Sequence, residues 1–209
     1  MAARRSERQQ AVSEHKRTLI LDAARDVFAQ DGLEGASLRA IAMRAGYAPA
    51  ALYFHFDSKE AIYAEVLRGS LAALGDHVGR AVSEAAGPAE RLRAAAMAFF
   101  RFYAENPGDL DLGFYLFRGG MKPKGLGRER DEDLNKALAA ALNPIADAAV
   151  EAGASRSDAE LLVVDTFAHA TGLLLLLHTG RIRMFDASAD ERMEAYVGER
   201  VVRLTAGAK

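Results

Sequence analysis

Apolar residues recur along almost the whole chain at intervals of three and four, the spacing of one face of an α-helix. No segment shows the clear apolar–polar alternation of a half-buried strand. The first periodic segment carries Ile20, Ala24 and Phe28 on one face and predicts a helix over about residues 13–30. Later helices are predicted over about 58–87, 89–105, 107–117, 131–152, 158–179 and 189–205. The pattern therefore predicts an all-α protein.

Polar residues indicate where three of these helices begin. Asp57, Ser157 and Ser188 each precede a glutamate by three residues, which is the spacing of a capping box. Each is expected to cap the helix that follows it.

The segment 37–59 predicts two further short helices joined by a tight turn. The apolar face of the first consists of Leu38, Ile41, Ala42 and Ala45. Ser37 can cap this helix and Gly46 can end it. Pro49 suits the first position of the second helix, in which Leu52 and Phe56 lie four apart and face inward. Two such helices can place the second in a DNA major groove.

These residues resemble the N-terminal domain of the tetracycline-repressor (TetR-type) family of bacterial regulators, over roughly residues 16–67. The resemblance is carried by Phe28 and Gly32, Leu38-Arg39-x-Ile41-Ala42, Ala45-Gly46, Leu52-Tyr53-Phe54-His55-Phe56 and Asp57-Ser58-Lys59-Glu60. It implies a three-helix DNA-binding domain followed by a helical ligand-binding and dimerisation domain. We expect a flexible basic arm over residues 1–12, the helix-turn-helix domain over 13–60 and the regulatory domain over 61–209.

The resemblance implies that Tyr53, His55 and Lys59 contact DNA phosphates. The pattern agrees, because Tyr53 projects from the outer face of the second helix and Lys59 lies at a helix start, which attracts anions. Ser37 offers a hydroxyl at another helix start. The alternatives are that Tyr53 packs on the domain surface and that His55 only caps its helix.

Base recognition is expected mainly from Arg39, whose guanidinium can bind guanine O6 and N7 together, although a phosphate contact fits nearly as well. Tyr47, Ala50 and Ala51 are expected to contact thymine methyl groups. The two alanines make hydrogen bonds to bases sparse in this helix. Ala48 stands where the family often has a small hydroxyl residue, which weakens the cap of the recognition helix.

Charge is distributed unevenly along a chain whose net charge is only −2. The first 59 residues hold nine basic and seven acidic side chains and carry +2, so the remainder carries −4. A basic end on an acidic body favours DNA binding at that end alone. Arg4, Arg5 and Arg8 in the arm either enter a minor groove or belong to a solubilising tail.

The last two predicted helices carry more apolar surface than one chain needs for its core. In the family, these two helices pair with their two-fold mates as a four-helix bundle. The predicted dimer residues are Leu162, Gly172, Leu173, Leu176, Met193, Val197 and Val201. The alternative is that these residues close only the core of a single chain.

Seven of the sixteen aromatic residues lie between residues 99 and 117, next to a glycine-rich stretch, which predicts a pocket for an apolar ligand. The predicted lining is Phe99, Phe102, Tyr103, Phe114, Phe117, Met121 and His169. Asp165 and His169 lie four apart on one helix face. They either bond to each other in the core or interface, or one of them contacts the ligand.

The composition of the chain argues against several other classes of function. The chain has no cysteine, and its five histidines are dispersed, so we expect no metal site and no cofactor. Residues 1–18 lack the apolar stretch of a signal peptide, and the apolar segment 161–177 contains Asp165 and is short for a membrane span. We expect a cytoplasmic protein without membrane contact.

The sequence therefore predicts a homodimeric transcriptional regulator of double-stranded DNA. The favoured mechanism is a repressor that a largely apolar small molecule, of unknown identity, releases from a palindromic operator. The alternative is a DNA-binding organiser without an effector, whose body only dimerises or contacts other proteins. An enzyme is disfavoured, since neither a G-x-S-x-G nor an H-E-x-x-H motif is present.

Overall fold

A computed structural model describes residues 2–114 and 125–207 of the chain. All regular structure in these ranges is helical, which confirms the all-α prediction. The α-helices are α1 Ala2–Gly35, α2 Leu38–Arg44, α3 Pro49–Leu52, α4 Lys59–Ser83, α5 Pro88–Glu105, α6 Pro107–Gly113, α7 Arg128–Glu151, α8 Arg156–His178 and α9 Ala189–Gly207. A 3₁₀ turn, Arg181–Phe185, lies between α8 and α9.

The chain forms two compact units, and the first is discontinuous in sequence. It combines Met1–Gly69 with the described part of Asp111–Leu134, and the second combines Ser70–Leu110 with Asn135–Lys209. The sequence analysis had placed residues 111–134 in the regulatory domain. They join the first unit because their apolar side chains, Leu112, Leu126 and Leu134, are buried.

The core of the first unit forms where α1, α2, α3 and α4 meet. Phe28 of α1 packs edge-on against Tyr63 of α4, with ring centroids 4.8 Å apart. The Tyr63 hydroxyl donates a buried hydrogen bond of 2.9 Å to the carbonyl of Leu112. Leu52, which is fully buried, and Phe56 anchor α3 in this core, as their spacing predicted.

Helix α1 departs from the prediction at both ends. It begins at Ala2, so residues 2–12 are helical instead of forming an irregular arm. Alanine, arginine, glutamate and glutamine dominate this stretch, and all four are strong helix formers. Near its other end, Gly32 has a φ of 67°, which kinks the helix at a residue that accepts left-handed backbone.

The capping-box spacing identifies the cap of only one of the three helices for which it was used. The Ser188 hydroxyl accepts a hydrogen bond from the Glu191 amide, as predicted. The predictions for Asp57 and Ser157 were wrong, because Ser58 caps α4 and Ser155 caps α8. In both helices a serine lies close to the residue that was predicted as the cap. The hydroxyl of this serine accepts the hydrogen bond from the helix amide instead.

The second unit is built around α5, which α8 and α9 flank. Phe99 and Phe100 are buried on α5, and the Phe99 ring lies 5.8 Å from the Phe167 ring of α8. On the outside, Arg101 of α5 binds Asp190 and Glu194 of α9 at 3.0 and 3.2 Å. These carboxylates, with the hydrogen bond to Asp190 as the largest contribution, raise the pKa of Arg101.

Candidate nucleic-acid interface

A tight turn between α2 and α3 sets the position of the exposed recognition helix. The Ser37 hydroxyl caps α2 by accepting a hydrogen bond of 3.1 Å from the Ala40 amide. Gly46, with a φ of 75°, reverses the chain after α2. Pro49 begins α3, and no side chain caps it at Ala48. These caps and the turn confirm the sequence prediction.

The predicted DNA-contacting residues lie in and around this turn with different degrees of exposure. Ser37, Arg39, Ala50 and Tyr53 are exposed, whereas Tyr47, Ala51, His55 and Lys59 are half-buried. Tyr53 exposes 63% of its surface, so it does not belong to the core. All eight residues therefore lie in the first unit, in or near this turn. Their contacts with DNA stay predictions.

The two arginines of α2 have different surroundings. Arg44 pairs with Asp26 of α1 at 2.8 Å, an exposed contact that holds α2 on α1. Arg39 forms no ion pair or hydrogen bond with any other residue that the structure describes. Its guanidinium is therefore available to a partner, as base or phosphate recognition requires.

Lys59 lies at the start of α4, as predicted, but its ammonium already has protein partners. Its ammonium donates hydrogen bonds to the carbonyls of Leu33, Glu34 and Ala36, at 2.8, 3.2 and 3.2 Å. An ammonium has only three N–H donors, so all of them are used. They satisfy carbonyls at the end of α1, where intrahelical partners are missing. Lys59 therefore ties α1 to α4, and a direct phosphate contact does not fit this geometry.

Arg17 is a structural residue of this site that the sequence analysis missed. Its guanidinium donates to the His55 carbonyl at 3.4 Å, pairs with Glu65 at 3.2 Å and lies 4.5 Å from the centre of the Phe56 ring. It thus joins α1 to the end of α3 and to α4. These partners are distant in sequence, and no local pattern indicates the contact.

Phe54 is the second residue that the analysis missed. It is 89% exposed, next to Tyr53 and between two clefts of about 440 and 350 Å³. The helical period contained this information, since Leu52 and Phe56 take the inward positions and leave Phe54 outside. An exposed phenylalanine beside a tyrosine offers apolar contact to a nucleic-acid groove.

Residues 20–66, from α1 to the first half of α4, match the family model of the bacterial regulatory proteins of the tetR family. Residues 20–66 therefore form a domain of the TetR type. The match covers α2, the Gly46 turn and α3, and so confirms the resemblance drawn from these residues.

Two curated relatives match the same end of this chain. The uncharacterised HTH-type transcriptional regulator YobS of Bacillus subtilis (strain 168) is 36% identical over 90 residues, 43% of this chain and 47% of that protein. The HTH-type transcriptional repressor KstR2 of Rhodococcus jostii (strain RHA1) is 48% identical over 56 residues, 27% of this chain and 28% of that protein. The match thus spans less than half the length of these relatives.

The fold extends beyond this segment. The crystal structure of FadR from Bacillus subtilis in complex with stearoyl-CoA aligns over 91% of this chain and 98% of that chain. The TM-score is 0.63 at 21% identity. At this identity the likeness shows a shared fold.

In the second unit, the predicted ligand pocket is partly core. Phe99, Phe102 and Tyr103 are buried and pack edge to face, with centroids 5.2 to 5.3 Å apart. Burial and the Asp109 carboxylate raise the pKa of the Tyr103 hydroxyl. Phe114 is half-buried in the first unit. The predicted residues Phe117 and Met121 lie outside the described residues.

His169, the other predicted ligand residue, belongs to an aromatic and cationic cluster. Its ring stacks on Tyr196 at 4.1 Å, and the guanidinium of Arg200 lies 4.7 Å from the centre of the same tyrosine ring. Burial lowers the pKa of His169, and a hydrogen bond to the Arg192 backbone opposes this effect. The ring therefore packs against α9 through Tyr196, whereas Asp165 is exposed.

Three of the predicted dimer residues are core residues of one chain. Leu173, Met193 and Val197 expose at most 7% of their surface, which agrees with the alternative that these residues close the core of a single chain. Leu162, Leu176 and Val201 are half-buried and Gly172 is exposed. The large apolar side chains that remain exposed on α8 and α9 are Leu161, Val164, Phe167, Leu175 and Val202.

Helix α8 is unusual in its hydropathy. By length and composition alone it could cross a membrane, with a mean hydropathy of 1.6 over its most apolar 18 residues. It packs against α5 and α9, yet only 22% of that stretch is buried in a single chain. Its outer face, with Leu161, Val164 and Leu175, is therefore left uncovered.

We predict that Lys59→Met destabilises the first unit without changing the salt dependence of DNA binding. The substitution removes three hydrogen bonds from a charged donor, two of them part-buried, and such bonds contribute on the order of 1–3 kcal/mol. Urea unfolding measures this loss, with Lys16→Met, an exposed lysine of α1, as the control. If both variants unfold alike and Lys59→Met lowers the salt slope by about one unit, Lys59 is a phosphate contact after all.

Proposed function

We propose that this TetR-family protein is a homodimeric, sequence-specific DNA-binding transcriptional regulator, and that it acts as a repressor. A largely apolar small molecule releases it from a palindromic operator by favouring a form whose two recognition helices no longer match the half-site spacing. The family consists of DNA-binding proteins without enzymatic activity, which favours a regulator over an enzyme.

The observation that carries this proposal is the outer face of α3 and the turn before it. Arg39 is free of partners within the described chain, and Tyr53 and Phe54 are exposed although both carry large rings. A globular domain rarely leaves such residues together in solvent unless they meet a partner. The relative KstR2 is a transcriptional repressor, which supports the same direction of control here.

A second copy of the chain is the partner that fits the outer face of α8. Leu161, Val164 and Leu175 recur on this face at helical spacing, with Gly172 between them for close approach. A two-fold pairing buries identical faces against each other and presents two α3 helices to a palindromic site.

An apolar effector is supported by the second unit and by a structural relative. FadR, which shares this fold, binds stearoyl-CoA. In this chain the Ser70 hydroxyl is buried on α4 and has no hydrogen-bond partner among the described residues. His77, seven residues later on the same helix face, lies 5.8 Å from Phe102. Ser70 therefore faces the aromatic side of α5 and is suited to receive the polar end of a ligand.

The alternative, an organiser without effector, is favoured by one observation. The Tyr103 ring already packs edge to face against the rings of Phe99 and Phe102, as aromatic side chains in a protein core do. In that case the second unit serves only to hold two copies together.

We predict that Arg39→Ala relaxes the preference for particular base pairs, by about 1–3 kcal/mol if the side chain binds guanine. Tyr53→Ala should weaken binding to all sequences to a similar extent, because phosphate contacts carry no sequence information. Selection of bound sequences from random DNA measures both effects. Arg44→Ala, on the same helix but paired with Asp26, is the matched control. Unchanged selection with both variants would contradict the docking by α2 and α3.

We predict that Val164→Glu converts the protein to a folded monomer. Val164 is 62% exposed in one chain, so the charge disturbs no core but is costly in a buried two-fold interface. Sedimentation measures the change, and Val12→Glu, at an exposed valine of α1, should remain dimeric. A wild-type protein that sediments as a monomer at micromolar concentration would refute the dimer.

We predict that long-chain acyl compounds raise the melting temperature of the protein and that Ser70→Ala reduces this shift. Without ligand the variant should be at least as stable as wild type, because it removes a buried hydroxyl that has no partner. Ser83→Ala, which removes an exposed hydroxyl on the same helix, is the control. If neither acyl nor planar aromatic compounds change the melting temperature or release DNA, the organiser replaces the repressor.

A further inference from the structure

An arginine from α7 reaches the start of α4 within the first unit. The Arg130 guanidinium lies 3.3 and 3.4 Å from the two carboxylate oxygens of Asp57. Asp57 directly precedes Ser58, which caps α4, and its side chain is 75% exposed. The two residues are 73 positions apart in sequence. The contact therefore joins the helix-turn-helix region to a segment that follows it by about a third of the chain.

The start of α7 is firmly held in this unit, which fixes where Arg130 points. Leu126 and Leu134, on either side of it, are 4% and 3% exposed. The Leu126 amide donates to the Asp131 carboxylate at 3.0 Å, and the Asp131 amide donates to the Gly127 carbonyl at 2.9 Å. Arg130 is thus placed by a capped helix start and two buried leucines.

Arg130 opens onto the cleft of about 440 Å³ that Tyr53 and His55 also line. The other two arginines of this cleft, Arg17 and Arg68, both bind Glu65, at 3.2 and 2.7 Å. Arg130 has only longer contacts within the described residues, to the Leu126 carbonyl at 3.4 Å and to the exposed Asp57 at 3.3 and 3.4 Å. It is therefore the cation of this cleft that is most available to an incoming anion.

Asp57 poses an electrostatic problem for DNA binding. The start of α4 attracts phosphate through its free amides and helix dipole, but an exposed carboxylate at that place repels it. A guanidinium 3.3 Å from Asp57 cancels this repulsion and adds its own attraction. Tyr53 and His55, two of the three phosphate contacts that the family resemblance implies, line the same cleft.

We propose that Arg130 is part of the DNA-binding surface. It neutralises Asp57 and offers a positive charge to a backbone phosphate beside Tyr53 and His55. This inference rests on the proposed DNA binding and adds a residue outside the family-matched segment 20–66.

The test measures binding of the full-length protein to a labelled DNA duplex of mixed sequence across a salt series. Phosphate contacts act on any duplex, so no operator is needed. Arg130→Gln should weaken binding about two- to fivefold at low salt, the size of an exposed ion pair, and lower the salt slope. Arg130→Lys should retain most of the affinity. Arg128→Gln, at a 92% exposed arginine on the same helix turn, should bind like wild type.

A double-mutant cycle identifies the role of Asp57. Asp57→Asn alone should bind DNA more tightly than wild type, and Arg130→Gln should cost less in the Asp57→Asn background, because no repulsion is left to cancel. Equal affinities and salt slopes for Arg130→Gln and Arg128→Gln would overturn this inference while leaving DNA binding by α3 intact. Loss of binding by Arg130→Lys together with a lower melting temperature would also overturn it, since a structural role is then sufficient. Absence of wild-type binding would instead overturn the proposed function itself.

Discussion

The recognition helix α3 has only four residues, and a helix of that length is unstable in water without tertiary contacts. Its geometry therefore depends on the burial of Leu52, which is fully enclosed, and of Phe56 just beyond the helix. Around this anchor, Arg17 holds the carbonyl at the end of α3, and Lys59 holds the end of α1 against the start of α4. The exposed Tyr53 and Arg39 can be presented to DNA only because these buried contacts fix the backbone beneath them.

Periodicity and local chemistry sufficed for the elements of the fold. The helical spacing, Ser37, Gly46 and Pro49 predicted α2, the turn and α3, because each of these signals lies within a few residues of the structure it determines. The caps of α4 and α8 were displaced because Ser58 and Ser155 compete with the predicted neighbours at nearly the same position. The direction of the backbone decides which of two nearby side-chain oxygens accepts from the helix amide, and the sequence does not contain this direction.

The candidate sites were harder to predict, for two physical reasons. Lys59 and Arg130 make their decisive contacts across 23 to 26 and 73 positions of sequence, respectively. In α8 the difficulty is of another kind, because a helix that is apolar nearly all round does not reveal its inner face by period alone. Leu173 and Leu175 are chemically identical, yet the first is 7% exposed and the second 53%. Only the placement of α5 and α9 separates them.

The discontinuous first unit has a consequence for protein engineering. Regulators of one fold invite chimaeras in which the DNA-binding head of one is fused to the sensing body of another at the end of the helix-turn-helix. In this chain a cut after Gly69 would remove Leu112, Leu126 and Leu134 from the head's core and leave the buried Tyr63 hydroxyl without its acceptor. A transplantable head must therefore carry the second segment as well, either from the same parent or as a matched set of apolar residues. The part of this chain that can be exchanged as a domain therefore consists of two separate segments of sequence.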